Sequence, residues 1–231
     1  MLLLDAGNTR IASADSDGRS VGPVRAVSAA EFRIPEAGLI AAASVVPALT
    51  EKLRRRGNVF LLANEHASAA GLCLAQVDAS TLGADRLANA IELVHQGRLP
   101  AVTVDFGTAV NCEIVDRSGA FRGGAIAPGR RLMLDALYGG TAQLPDLAAG
   151  DVLREEPGTD TATTIAFGVD QGVAGMVRQW LARIAVLLGE TPRIVGIGGD
   201  AQRYLAAVPG MEYGGGDFTL RGLLHAYRRN R

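Results

Sequence analysis

Two short Asp-x-Gly segments, each set between apolar runs, constrain this chain more than any other feature. Residues 1–4 are apolar, Asp5-Ala6-Gly7-Asn8-Thr9 breaks the run, residues 10–14 resume it, and Asp15-Ser16-Asp17-Gly18 ends it. The same order returns 100 positions later: residues 101–104, then Asp105-Phe106-Gly107-Thr108-Ala109, residues 110–115, and Asp116-Arg117-Ser118-Gly119. Each reads as a strand, a tight turn, a second strand and a hairpin loop. A bare D-x-G match is common, but one that extends through the second strand into an Asp/Ser/Gly loop is much rarer. A two-fold internal repeat is therefore expected, with two unrelated hairpins as the alternative.

Helical segments follow the strands. Residues 81–95 place Leu82, Leu87, Ala90 or Ile91, and Val94 along one face, with Ser80 or Thr81 as the N-cap. Residues 161–188 carry a broader apolar stripe of Val173, Met176, Val177, Trp180, Leu181, Ile184, Leu187 and Leu188, stopped by Gly189. A short strand at 193–197 precedes Gly198-Gly199-Asp200, and helices are expected over 201–207 and 220–229. Strands alternating with helices give an α/β class. The expected division is 1–98 and 99–231.

Composition narrows the function classes. At 231 residues the chain can bury a sizeable core. With 23 basic and 24 acidic residues, and only 5% aromatics, it has neither the basic field nor the stacking platforms of a nucleic-acid binder. No apolar stretch approaches the roughly 20 residues that span a bilayer, and no signal peptide is expected. Two cysteines, Cys73 and Cys112, fit a reducing cytoplasm better than a disulfide framework or a zinc site. His66, His95 and His225 are scattered without metal spacing, Cys112 reads as core, and the basic cluster Arg228, Arg229 and Arg231 reads as a solvated helix end.

Four segments carry residue types that imply chemistry. In the first loop, glycine admits a phosphate close to the backbone, and Asn8 and Thr9 add short donors. Asp5 would repel a phosphate directly, but it can reach one through hydrated Mg²⁺, which binds few protein ligands. Asp105 to Ala109 repeats that logic, and a pair of such loops would supply the positioning and charge neutralisation that phosphoryl transfer needs. The third segment, Gly83-Ala84-Asp85-Arg86, opens a helix. Asp85 and Arg86 there are either a surface pair, worth at most about 1 kcal/mol, or a proton acceptor worth roughly 3–5 kcal/mol of barrier. In the second case the helix N-terminus would keep Asp85 ionised and a weak base, suited to a loose transition state, and the Arg86 fork could hold a substrate carboxylate. The fourth, Ile197-Gly198-Gly199-Asp200, is a plain tight turn or a surface for a flat ring such as adenine.

In order along the chain these pieces resemble the type III pantothenate kinases, Baf-like members of the actin-like superfamily. The resemblance spans nearly the whole chain. It rests on D-A-G-N-T-R at 5–10, A-S-V-V-P at 43–47, G-A-D-R at 83–86, D-F-G-T-A at 105–109, G-G-A-I-A-P-G at 123–129, G-T-A-Q-L-P at 140–145, G-T-D-T at 158–161 and G-I-G-G-D at 196–200. It implies two ribonuclease-H-like halves with mixed sheets flanked by helices, a cytoplasmic homodimer, and transfer of the ATP γ-phosphate to pantothenate. By the same resemblance Asp5, Ala6, Gly7, Asn8, Thr9, Arg10, Ile11 and Ala12 would form the ATP phosphate loop, with Asp5 near Mg²⁺. Thr108 would also contact ATP, and Gly198 and Gly199, from the reading of their own turn, are expected as ATP contacts beside it. Gly83, Ala84, Asp85, Arg86, Thr161 and the residue at position 76 would contact pantothenate, with Asp85 the catalytic proton acceptor. Asp105 would hold a monovalent cation, K⁺ or NH₄⁺. The chain departs from the family pattern at Gln76, where many members carry Tyr, at 78–81, where many carry Pro, and at Val110, where Thr is common.

Three other functions compete with this one. A kinase of the same superfamily could act on a sugar or a short acid, but Arg86 beside Asp85 favours an acceptor with a carboxylate. A regulatory protein without catalysis would have no need of Asp5, Asp85 and Asp105 together. A filament former of this superfamily would need a longer chain with inserted subdomains.

Overall fold

The computed structural model describes residues 1–36, 38–150 and 152–231. Its first sheet contains β1 (Leu2–Ala6), β2 (Arg10–Asp15), β3 (Arg25–Ser28), β4 (Ile40–Ser44) and β5 (Val59–Leu61), in the order β3-β2-β1-β4-β5. The second contains β6 (Ala101–Phe106), β7 (Ala109–Val115), β8 (Phe121–Pro128), β9 (Arg193–Ile197) and β10 (Met211–Tyr213), in the order β8-β7-β6-β9-β10. Strand for strand the two orders are the same, so the repeat read from the two Asp-x-Gly loops extends through five strands.

The register follows from the loops. A three-residue turn sets β2 antiparallel to β1, pairing Leu2 with Asp15 and Ala6 with Ile11. β4 returns parallel to β1, with Leu2 opposite Ile40, and β5 continues parallel. Central strands covered on both faces need continuous apolar side chains rather than alternation. Leu3 and Leu4 of β1 and Ile40, Ala41, Ala42 and Ala43 of β4 are all fully buried. In the second sheet the two-residue turn 107–108 requires β6 and β7 to be antiparallel, and β9 and β10 pair in parallel.

Packing divides the chain into two units. The first comprises Met1–Ala101, Glu113–Gly123 and Gly215–Arg231, and the second Val102–Cys112 and Gly124–Gly214. In the first unit, α1 (Pro47–Arg54), α2 (Ala84–Gln96) and α6 (Phe218–Arg229) flank the first sheet. Its core includes Leu87 and Ile91 of α2 and Leu223 and Leu224 of α6. The second unit contains α3 (Arg130–Gly140), α4 (Thr161–Leu188) and α5 (Ala201–Tyr204). Phe106 of β6 stacks on Tyr204 of α5 with ring centroids 4.7 Å apart. Arg130 and Asp170 form an ion pair there that is almost wholly buried. Burial pushes the Tyr204 phenol well above its ordinary range.

Several sequence expectations need correction. The helix expected from residue 81 starts at Ala84, because Asp78 accepts the Ser80 amide in a separate 3₁₀ turn, Ala79–Thr81, and Leu82 is extended. Gly83 is the N-cap, and it provides no side-chain bond. The helix expected over 201–207 runs only from Ala201 to Tyr204. Leu187, expected on the buried stripe of the long helix, is half exposed. The long helix itself spans the expected residues; Asp160 caps it through the Thr163 amide at 2.9 Å, and Gly189 ends it in the left-handed conformation. No helix among the described residues is long and apolar enough to cross a membrane.

Candidate active site

Asp5 lies at the C-terminal end of β1, opposite Ala12 of β2 and Ala43 of β4. The turn that follows closes when the Gly7 amide donates to the Arg10 carbonyl at 3.1 Å. Asn8, Thr9 and Arg10 are exposed, while Ala6 and Ile11 point into the core and can serve a ligand only through their backbone. Ala12 is partly buried. Burial first, and the Asp85 carboxylate second, push the Asp5 pKa from 3.8 up to about 7. A buried carboxylate at a strand end, with a second carboxylate acting on it, suits a cation.

Asp85 belongs to the first turn of α2, where its Oδ1 accepts the Arg86 amide at 2.8 Å. This folded-back carboxylate explains the glycine before it: a Cβ on Gly83 would stand 2.6 Å from that oxygen and 3.3 Å from Val45. Ala84, Asp85 and Arg86 are all partly accessible. The Arg86 Nε donates to Oε1 of Glu113 at 2.8 Å, and the Glu113 side chain is fully buried. Arg86, read from sequence as a substrate ligand, is therefore also half of an internal ion pair. Gln76 sits exposed on a turn that the Val77 amide closes on the Leu74 carbonyl at 3.2 Å, outside this hydrogen-bonded cluster.

Sequence reasoning missed the buried polar side of α2. Asn89 and Glu92 are 1% and 2% exposed. Asn89 accepts the Thr219 hydroxyl at 2.8 Å, and Glu92 accepts Nε of Arg221 at 2.8 Å and the Gln96 amide at 2.7 Å. His95 and His225, read as scattered, stack with centroids 3.3 Å apart. Burial, His95 and three neighbouring arginines press the His225 imidazole down to about 4, against the pull of Glu92 at 3.4 Å. The available signal was spacing: Asp85, Asn89, Glu92 and Gln96 recur at helical intervals and form a polar stripe.

The second unit gathers the other loop. Asp105 ends β6, and Gly107 and Thr108 are exposed on the turn. The Gly129 amide, at the start of α3, donates to the Thr108 carbonyl at 3.0 Å. Across β6 the Asp200 amide donates to the Phe106 carbonyl at 3.1 Å, which draws the 198–200 turn over the strand end. Gly198 has φ +90, and a Cβ there would lie 2.3 Å from the Asp105 Oδ1. No side chain fits that place. Gly198 and Gly199 are exposed beside it. Thr161 is the exposed first residue of α4. Its neighbours Ala162 and Thr163 line a cavity of about 290 Å³ with Arg130, Leu134, Arg154 and Asp170.

Thus Asp5, the 7–10 turn and Gly83 to Arg86 collect in one unit, and Asp105, Thr108, Gly198 and Gly199 in the other. Each group offers what phosphate and cation binding require: an exposed turn carrying glycine and small polar side chains, and a carboxylate at a strand end.

Comparison with known proteins agrees with this chemistry. A family model for type III pantothenate kinase matches residues 1–183. A type III pantothenate kinase of Rhodospirillum rubrum is 32% identical over the whole chain and 98% of its own length. One from Caulobacter vibrioides is 37% identical, covering 86% of this chain and 77% of its own. Among solved structures, a Baf family protein of Campylobacter jejuni, described as a transcriptional activator, aligns over 100% of this chain and 98% of its own with a TM-score of 0.71 at 20% identity, which shows the shared fold. The two helix-flanked mixed sheets agree with that shared fold. Family model, relatives and fold agree: the chain belongs to the type III pantothenate kinase family.

Proposed function

We propose that this protein transfers the γ-phosphate of ATP to the primary hydroxyl of pantothenate, giving 4'-phosphopantothenate, the first step of coenzyme A synthesis. The observation that carries this reading is the electrostatic coupling of Asp5, at the end of the phosphate-loop strand, to Asp85, at the head of α2. A nucleotide-side carboxylate and an acceptor-side carboxylate in mutual reach are what a kinase of this kind needs.

In the proposed mechanism the 5–12 turn presents amides and the Asn8 and Thr9 side chains to the ATP phosphates. Asp85 accepts the hydroxyl proton of the acceptor and orients its oxygen, and Arg86, with Gly83, Ala84, Thr161 and Gln76, binds pantothenate. Thr108 and the backbone at Gly198 and Gly199 contact ATP. The donor set fits Mg²⁺, because a cation beside Asp5 would offset the burial and, second to it, the Asp85 repulsion that together raise the Asp5 pKa to about 7. When bound, the metal neutralises charge on the phosphates.

Asp105, set beneath Gly198, is proposed to hold K⁺ or NH₄⁺. A homodimer is supported by large apolar side chains left exposed on the second unit, among them Leu132 and Tyr138 of α3 and Val186 and Leu187 of α4. The proposed setting is the cytoplasm, with 1–98 and 99–231 as the two ribonuclease-H-like halves. A coupled ADP-release assay tests the reading. Pantothenate-dependent ADP release that rises with K⁺ or NH₄⁺ is expected, and no release under any cation would refute it.

A further inference from the structure

Glu113 is a charged residue in a strand that otherwise has no use for one. Its neighbours Cys112, Ile114 and Val115 are buried, and its own side chain is fully excluded from water. Burying a carboxylate costs several kcal/mol unless it is paired, and replacing a buried pair by apolar groups of similar size is often neutral or stabilising. Stability alone therefore gives no reason for Glu113. The groups around it do. Its Oε1 takes the Arg86 Nε at 2.8 Å, and its Oε2 faces the Asn89 amide at 3.5 Å. Asn89 is held in turn by the Thr219 hydroxyl from α6 at 2.8 Å. A chain of buried and partly buried polar groups thus runs from α6 through α2 to β7 and ends on the side chain next to Asp85.

We propose that Glu113 is a positioning residue: it fixes the plane of the Arg86 guanidinium and so sets the preference of the acceptor site for a substrate bearing a carboxylate. This rests on Arg86 being the acceptor's carboxylate ligand. A guanidinium binds a carboxylate through a planar fork, so its affinity depends on how the plane is held. Arginine carries much rotamer freedom, and anchoring Nε to a carboxylate that cannot move removes that freedom before substrate arrives. Glu113 touches no reacting atom in this scheme and acts only through Arg86.

The test is a selectivity ratio: kcat/KM for pantothenate divided by kcat/KM for a neutral N-alkyl amide of pantothenate, which keeps the hydroxyl and lacks the charge. Glu113→Gln keeps the size of the side chain but replaces a charge-assisted bond with one about half as strong. The ratio is expected to fall about tenfold, through KM for pantothenate, with kcat and KM for ATP within about twofold of wild type. Glu113→Asp retains the charge but withdraws it, and a fall of about threefold is expected. An unchanged or higher ratio, or equal losses for both acceptors, overturns the proposal. If Glu113→Gln does not fold, Glu113→Asp carries the same test with the same overturning result. Arg86→Gln separates the two readings. If it leaves the ratio unchanged, Arg86 is not the carboxylate ligand. If it lowers the ratio while the folded Glu113 variants do not, only the positioning role of Glu113 fails.

Discussion

The two Asp-x-Gly loops occupy the same place in the same strand order, yet their surroundings differ. Beside β1, the Val45 amide donates to the Ala6 carbonyl at 3.0 Å, directly after β4 ends. Beside β6 the matching bond, to the Phe106 carbonyl, comes from Asp200, two glycines beyond the end of β9. Those glycines let the 198–200 turn close over Asp105. With no such turn at its own strand end, Asp5 responds to Asp85 instead. Duplication explains the shared fold. A short insertion, and different helix heads beside the two loops (α2 with its Asp85 at the first, α3 with its Gly129 amide at the second), account for the division of labour proposed above: phosphate and divalent metal at Asp5, monovalent cation at Asp105.

If Asp5 and Asp85 form the reacting side, Asp85→Asn is the most damaging conservative change. Turnover should drop by about 10²–10⁴ with nucleotide affinity within about twofold, as read by steady-state kinetics and ATP titration. Undiminished turnover would take the reacting side away from the first loop.

Steric demand separates the loops next. Gly198→Ala forces a Cβ into the Asp105 carboxylate at a positive φ, so a loss of about 2–4 kcal/mol in chemical unfolding is expected. Gly7→Ala meets only the Arg10 carbonyl, at 3.1 Å, and should cost about 1 kcal/mol or less. Equal losses would mean that the insertion does not seal the second loop.

The smallest effects concern pH in metal-free buffer. Asp5 titrates near 7 in the folded protein against 3.8 unfolded, so its stabilising contribution is full below about 4 and is lost as pH rises to about 7. His225 titrates near 4 against 6.5, so its contribution is full above 6.5 and is lost as pH falls toward 4. The two slopes oppose each other in the wild type. Between pH 4 and 7, Asp5→Asn should gain stability with rising pH and His225→Gln should lose it; the full shifts would be worth about 3–4 kcal/mol, and solvent screening at these partly accessible side chains reduces each to about 1 kcal/mol. Thermal melts across that window check the signs, and parallel slopes in the two variants would contradict the assignment.

These contrasts also show what the sequence could reveal. The strands were legible because apolar runs such as L-L-L in β1 and A-V-T-V in β6 stop at Asp and Gly, and the long helix because a capping Asp160 and a terminal Gly189 bracket it. The start of α2 was misplaced because Ser80 and Thr81 resemble caps while the actual N-cap, Gly83, offers no side chain. The Asn89–Thr219 and Arg130–Asp170 contacts join residues 130 and 40 positions apart, a pairing that local periodicity does not encode. Arg86 reads from sequence as a candidate site residue, but its partner Glu113 reads in one dimension as a stray charge in a strand.

The central claim is that this active site phosphorylates pantothenate with Asp85 as proton acceptor. It is tested most directly by mass spectrometry of pantothenate incubated with ATP, Mg²⁺ and K⁺. Monophosphorylated pantothenate is expected from the wild type and almost none from Asp85→Asn. ADP formed without phosphopantothenate, or the same product yield from both proteins, would contradict it.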